Sequence, residues 1–144
     1  MRAQAGAEIF THRCRVYYED TDFGGIVYHA NYLKFIERAR SEWVRSLCID
    51  QRRMKAETGT VFAVRWMESD FLKPAVFDDE LIVETRLDRL EGASLHLHQT
   101  VLRGGDALFD ARVRLVCIGP AGRPVRLPAS LRAALCHAPG EKPG

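Results

Sequence analysis

Between Ala30 and Leu47 the apolar residues Tyr32, Ile36, Ala39, Trp43 and Leu47 recur at intervals of three and four. That spacing stacks them on one face of an α-helix. Lys34, Glu37, Arg38, Arg40 and Glu42 fall between them and supply a charged opposite face. This is the longest and best-marked helical pattern in the 144 residues, and most of what surrounds it alternates with period two. Any sheet built by those segments must therefore be covered by one helix.

The first strand is predicted over Ile9 to Glu19, a mixture of Val, Tyr, Phe, Thr and Cys. A turn follows at Asp20-Thr21-Asp22-Phe23-Gly24-Gly25. Beyond the helix, Asp50 to Thr60 reads as a polar connection. Phe62, Val64 and Trp66 then alternate with Val61, Ala63 and Met67, the pattern of a strand buried on both faces, ended by Pro74. Three more strands carry Leu81-Val83-Thr85-Leu87, Leu95-Leu97-Val101 and Phe109-Ala111-Val113-Leu115-Cys117 on their inner faces. Turns at Glu91-Gly92-Ala93 and Gly104-Gly105-Asp106 are hairpin-sized, so these three pair antiparallel in sequence order. Pro128 to Cys136 has room for one or two helical turns, and a tail over 137–144, rich in Pro, Gly and charge, reads as frayed.

Strand, long helix and four antiparallel strands make an α+β layout with the helix on one face of a five-stranded sheet. Eighteen helical residues span about 27 Å, and five strands span about 24 Å. The sheet must curl around the helix to close a core. Its outer face and an edge stay open, which points to self-association.

Length and composition narrow the class. A chain of this size is expected to be a single domain, 1–144, with a full core. Hydrophobic residues at 47% and charged residues at 28% exclude disorder and coiled coil. A net charge of +2 is too small for a dedicated nucleic-acid surface. No stretch reaches the roughly 18 apolar residues of a membrane span, and Met1 to Ile9 lacks the apolar run of a signal peptide. Cys14, Cys48, Cys117 and Cys136 lie far apart, without zinc or disulfide-framework spacing. A cytoplasmic protein with reduced cysteines is expected.

The chemistry concentrates in Tyr17 to Tyr32, which packs three carboxylates, four tyrosines, a histidine and two glycines between strand and helix. Glycines permit φ > 0 or close approach to a ligand. The helix start offers unpaired N–H groups that can hold an oxygen developing negative charge. A carboxylate opposite that helix end is the minimum kit for acyl transfer. Ordinary capping and turn chemistry would use the same residue types.

The run Tyr-Tyr-Glu-Asp-Thr-Asp-x-Gly-Gly-Ile-Val-Tyr-His-Ala-Asn-Tyr-Leu, ending at Leu33, resembles the signature of the hotdog-fold acyl-CoA thioesterases. It looks most like the Tol–Pal-associated branch and is more distantly similar to 4-hydroxybenzoyl-CoA thioesterase. The likeness continues through Glu37-Arg38-Ala39-Arg40, Phe62-Ala63-Val64-Arg65 and Asp78-Asp79-Glu80-Leu81, covering roughly Arg13 to Pro120. The resemblance implies a hotdog fold, five antiparallel strands curled around one long helix, and hydrolysis of acyl-CoA or acyl-carrier-protein thioesters. It implies that Asp22 is the catalytic carboxylate, accompanied by His29 and Tyr18, with the oxyanion held by a backbone N–H near His29. Homodimers or homotetramers with sites between subunits are implied as well. Coenzyme A enters as part of the substrate, so no cofactor and no metal are expected. The basic cluster that helps hold the nucleotide in the distant relative is missing here, where the third hairpin reads Leu90-Glu91-Gly92-Ala93-Ser94.

Weaker candidates surround this core. In an extended segment Asp20 and Asp22 would point the same way, so Asp20 either favours base catalysis through its like charge or orders the loop. His96 and His98 share a strand face and could ligate metal, but have no nearby third ligand in sequence. Cys48 is read as a small buried residue rather than a nucleophile, and Arg112 and Arg114 as a solvated face. Two other functions compete. A hotdog dehydratase would need a His-Phe-Pro-Gly pattern that is missing here, and a non-catalytic module binding acyl carrier protein would leave Asp22 and His29 without purpose.

Overall fold

The computed structural model describes residues 8–136. The tail predicted over 137–144 to be frayed lies outside the described residues. Five strands, β1 (Phe10–Arg15), β2 (Val61–Phe71), β3 (Glu80–Leu90), β4 (Ser94–Arg103) and β5 (Asp106–Ile118), form one antiparallel sheet. The strand order is β1-β3-β4-β5-β2. Helices α1 (Asn31–Ser46), α2 (Gln51–Thr58) and α3 (Ala129–Cys136) complete it.

The α1 boundaries match the periodicity, and the apolar stripe does what its spacing requires. Tyr32, Phe35, Ile36, Ala39, Trp43 and Val44 are buried against Leu81, Val83, Leu95, Leu97, Val101, Phe109 and Val113 of the sheet. Tyr32 stacks on Phe109 with ring centroids 4.9 Å apart, tying the helix start to the end of the sheet near Phe71. A five-stranded antiparallel sheet with α1 packed on one face is the α+β arrangement expected of the hotdog fold.

Four expectations are corrected. β1 stops at Arg15, because the chain leaves the sheet there and winds into a single 3-10 turn over Tyr18–Asp20. The connection 50–60 contains α2: Asp50 caps it by accepting from the Arg53 N–H at 3.1 Å, Arg53 pairs with Glu57 one turn on, and Gly59 ends it at φ 71°. Signals that short were outweighed by the polar composition.

β2 is an edge strand rather than one buried on both faces, and Val64 and Trp66 stand nearly half exposed. Its register slips between Val64 and Trp66, a β-bulge at Arg65. Arg40, placed by spacing on the charged face of α1, is buried at 8% exposure. Its Nη1 donates to Gln99 Oε1 at 3.1 Å, and Gln99 Nε2 donates to the Ile36 carbonyl and to Thr85 Oγ1. Burial outweighs the charge because a polar chain in the core receives it.

Two smaller readings also change. Cys48 is exposed, at φ 63° just past the end of α1. Arg112 pairs with Asp88 at 3.1 Å on the outer face as expected, whereas Arg114 is half-buried and its Nε has no hydrogen-bond partner among the described residues.

Candidate active site

The segment from Tyr17 to Asn31 is pinned at several points, and its shape follows from them. Val16 N–H donates to the Asp79 carbonyl, ending the strand. Asp20, 4% exposed, accepts the Tyr17 N–H on Oδ2 and the Asn31 side-chain amide on Oδ1, both at 2.8 Å. Its carbonyl accepts the Tyr28 N–H at 2.9 Å. Thr21 and Val27 pair as an antiparallel bridge, and the Asp22 N–H reaches the Ile26 carbonyl at 3.0 Å. Residues 22–26 are thus a tight turn closed at its neck.

Both glycines of that turn have a reason. Gly24 N–H donates to Asp22 Oδ1 at 2.8 Å, and a Cβ on Gly24 would sit 3.2 Å from the same oxygen. Gly25 adopts φ 82°, in the left-handed region where a side chain is costly. Asp22 itself is exposed at the turn, with one carboxylate oxygen engaged by Gly24. Asp20 and Asp22 do not point the same way, because the 3-10 turn before Thr21 buries the first carboxylate and leaves the second at the surface.

His29 lies immediately before α1, exposed, 4.6 Å from the Tyr28 ring and 6.1 Å from Phe71 by centroid. Tyr18 is 79% exposed and stacks on Phe77 at 4.5 Å. No hydrogen bond joins Asp22, His29 and Tyr18 to one another among the described residues. They share one short segment and one surface. Phe23, Ile26, Phe71, Leu72, Val76 and Phe77 make that surface apolar.

α1 begins without a conventional cap. Ala30 offers no side-chain cap, and the first turn holds no acidic residue. Asn31 N–H is taken by the Tyr28 carbonyl, while the amides of His29 and Ala30 donate to no acceptor among the described residues. The positive end of the helix therefore presents N–H groups that have no acceptor among the described residues.

Other candidates fall away from this surface. His96 bonds Glu91 at 2.9 Å and His98 bonds Asp110 at 2.8 Å, and no group of three His, Cys, Asp or Glu among the described residues is placed to hold a metal. Burial pushes the Cys14 thiol up to about 11 and also raises the Tyr32 phenol, whose oxygen accepts the Ala75 N–H at 3.0 Å. Neither is poised to ionise as a nucleophile. Clefts of about 640 and 700 Å³ open around Cys48 to Arg53 at the far end of α1, away from Asp22. Sequence reading missed the part played by the 75–77 segment. Ala75 accepts the Val27 N–H, Val76 pairs with Ile26, and Phe77 supports Tyr18. Only the Pro74 strand break hinted at it.

Comparison with known proteins adds to this geometry. The thioesterase superfamily model matches residues 24–109. An acyl-CoA thioesterase of Haemophilus influenzae, YbgC, is 40% identical over 129 residues, spanning 89% of this chain and 95% of that protein. A 1,4-dihydroxy-2-naphthoyl-CoA hydrolase of Thermosynechococcus vestitus is 32% identical over 128 residues, 88% of each chain. The crystal structure of a "Probable Thioesterase from Bartonella henselae" superposes with a TM-score of 0.81 at 40% identity, covering 84% of this chain and all of the other.

Proposed function

Because the chain belongs to the thioesterase superfamily, we infer that it hydrolyses acyl-CoA thioesters and that Asp22 carries the reaction. The observation behind the assignment is the exposed Asp22 carboxylate on a closed turn beside the uncapped start of α1. The thioester carbonyl lies over the His29 and Ala30 amides, which stabilise its oxygen as charge develops. Asp22 either attacks the carbonyl carbon, giving a mixed anhydride that water then opens, or removes a proton from the attacking water. In both routes the thiol of coenzyme A leaves and the free acid is released. Coenzyme A is thus substrate and leaving group, and no cofactor takes part. His29 and Tyr18 flank the turn and position the substrate.

Within one chain these residues are exposed, together with Phe23, Phe71 and Phe77. A second copy supplies the missing wall, so the working form is a homodimer or a pair of dimers. The exposed apolar residues of the β2 edge support the same reading. No helix among the described residues is long and apolar enough to cross a membrane. The cytoplasmic setting, the Tol–Pal association and acyl carrier protein as an alternative thioester donor are part of this proposal, supported by the motif.

The test is steady-state hydrolysis of short, long and aromatic acyl-CoA substrates by wild type and Asp22→Asn. The substitution keeps shape and hydrogen bonding but removes the charge. The expected loss in kcat is about three decades, or about 4 kcal/mol of transition-state stabilisation, with KM nearly unchanged. A folded variant keeping more than about a tenth of wild-type kcat, a loss under about 1.4 kcal/mol, removes Asp22 from the chemistry. Single-turnover hydrolysis in heavy-oxygen water tests the first route: label in the protein carboxylate requires an anhydride at Asp22 opened by water at the aspartyl carbon, whereas base catalysis labels only the product acid.

A further inference from the structure

Asp20 and Arg40 are the charged residues buried among the described residues. Removing a carboxylate from water is costly unless donors replace the water. Asp20 receives two, the Tyr17 N–H and the Asn31 side chain, one on each oxygen. Its carbonyl takes a third from Tyr28. Tyr17 precedes the catalytic turn, and Tyr28 and Asn31 follow it. The whole turn from Thr21 to Val27 is therefore hung between groups that Asp20 gathers.

The helix start gives this arrangement a second consequence. An Asp or Ser at the N-cap would satisfy the first amides with its own side chain. Here the anion approaches α1 through the Asn31 side chain, and the His29 and Ala30 amides are left undonated. The helix end gains a nearby negative charge without losing the donors that a thioester oxygen needs.

We propose that Asp20 and Asn31 are a positioning pair that sets the distance between the Asp22 turn and the free amides of α1; the assignment rests on the reading that Asp22 carries the hydrolysis. Neither residue touches the reacting atoms.

The pair can be broken and rebuilt. In Asp20→Asn the negative charge beside α1 is lost, and the new NH2 group can meet the Asn31 side chain only if that amide turns its oxygen inward, which reverses the contact that ties the turn to the helix start. The expected result is a fall in kcat of about 10- to 100-fold, the effect of roughly 1 Å misplacement of reacting groups, with KM changed less than about threefold. Adding Asn31→Asp restores acceptor to donor at both contacts with the charge moved across the bond, and kcat returns to within about fivefold of wild type. Asn31→Ala, which keeps the Tyr17 contact, provides a milder break should Asp20→Asn fold poorly. Backbone amide shifts of Gly24, His29 and Ala30 are recorded on each variant by NMR, and should move in the single variants and return in the double one. Retention of kcat within twofold in folded Asp20→Asn, or a folded double variant as slow as the single, overturns the proposal. If wild type hydrolyses no acyl-CoA, the function reading fails instead, and the amide shifts alone decide whether the pair positions the turn.

Discussion

Ala30 is the residue where stability and activity are expected to part. It is the N-cap of α1, yet it supplies no cap and no charge, although an anion at a helix N-terminus is worth about 0.3–1 kcal/mol. Ala30→Asp should leave the melting temperature unchanged or slightly raised. In the proposed mechanism the new carboxylate sits beside the thioester oxygen and repels its developing charge, so kcat should fall by at least about tenfold. Thermal unfolding and steady-state kinetics on the same preparation check both halves. An unchanged kcat would move the oxyanion donors away from His29 and Ala30. At this scale the sequence was most informative where residue type is dictated by geometry: Gly24 because a carboxylate is 3.2 Å from its would-be Cβ, Gly25 because φ is positive. It was least informative for Asp20, whose burial depends on a 3-10 turn that no spacing rule announces.

Between α1 and the sheet runs a polar chain of Arg40, Gln99 and Thr85, crossing a core that is otherwise apolar. Gln99 is fully buried and uses both ends of its amide, accepting from Arg40 and donating to Thr85 and the Ile36 carbonyl. Gln99→Leu should cost about 3 kcal/mol, because it leaves the buried guanidinium without that acceptor. Adding Arg40→Met should recover part of the loss, since a buried ion replaced by an apolar group of similar size is often neutral. Urea unfolding of the two variants measures this, and a cost under about 1 kcal/mol for Gln99→Leu would mean that solvent already satisfies Arg40. Helix periodicity located the element correctly but assigned Arg40 to the wrong face. A pattern of charges records polarity, whereas burial of a long cation depends on what the opposite layer offers it.

The whole molecule leaves the β2 edge and the surface proposed to bind substrate uncovered, and both are expected to close when two chains meet. Val64 and Trp66 on the β2 edge are nearly half exposed, and the strand's far end carries Phe71 beside His29. A lysine on such an edge opposes strand pairing and desolvation. Val64→Lys should convert a dimer, or a pair of dimers, into monomer by light scattering at tens of micromolar, and hydrolysis should fall with it. A wild type that is monomeric and fully active at that concentration would rule out a site shared between subunits.

The amino-acid sequence by itself determined the layout of this protein: one long amphipathic helix, alternating strands with two hairpin-sized turns, and a chemically dense link between the first strand and the helix. Those features are local, written in periods of 3.6 and 2 and in turn residues, and the apolar residues Leu81, Val83 and Leu87 or Tyr32, Ile36, Ala39 and Trp43 could be placed on their inner faces without coordinates. Tertiary structure alone decided that β2 lies beside β5 at the sheet edge, that Asp20 is buried while Asp22 is exposed, and that the 75–77 segment braces the Asp22 turn. Each of these depends on contacts between residues distant in the chain, and no periodicity encodes which partner a strand or a carboxylate will meet.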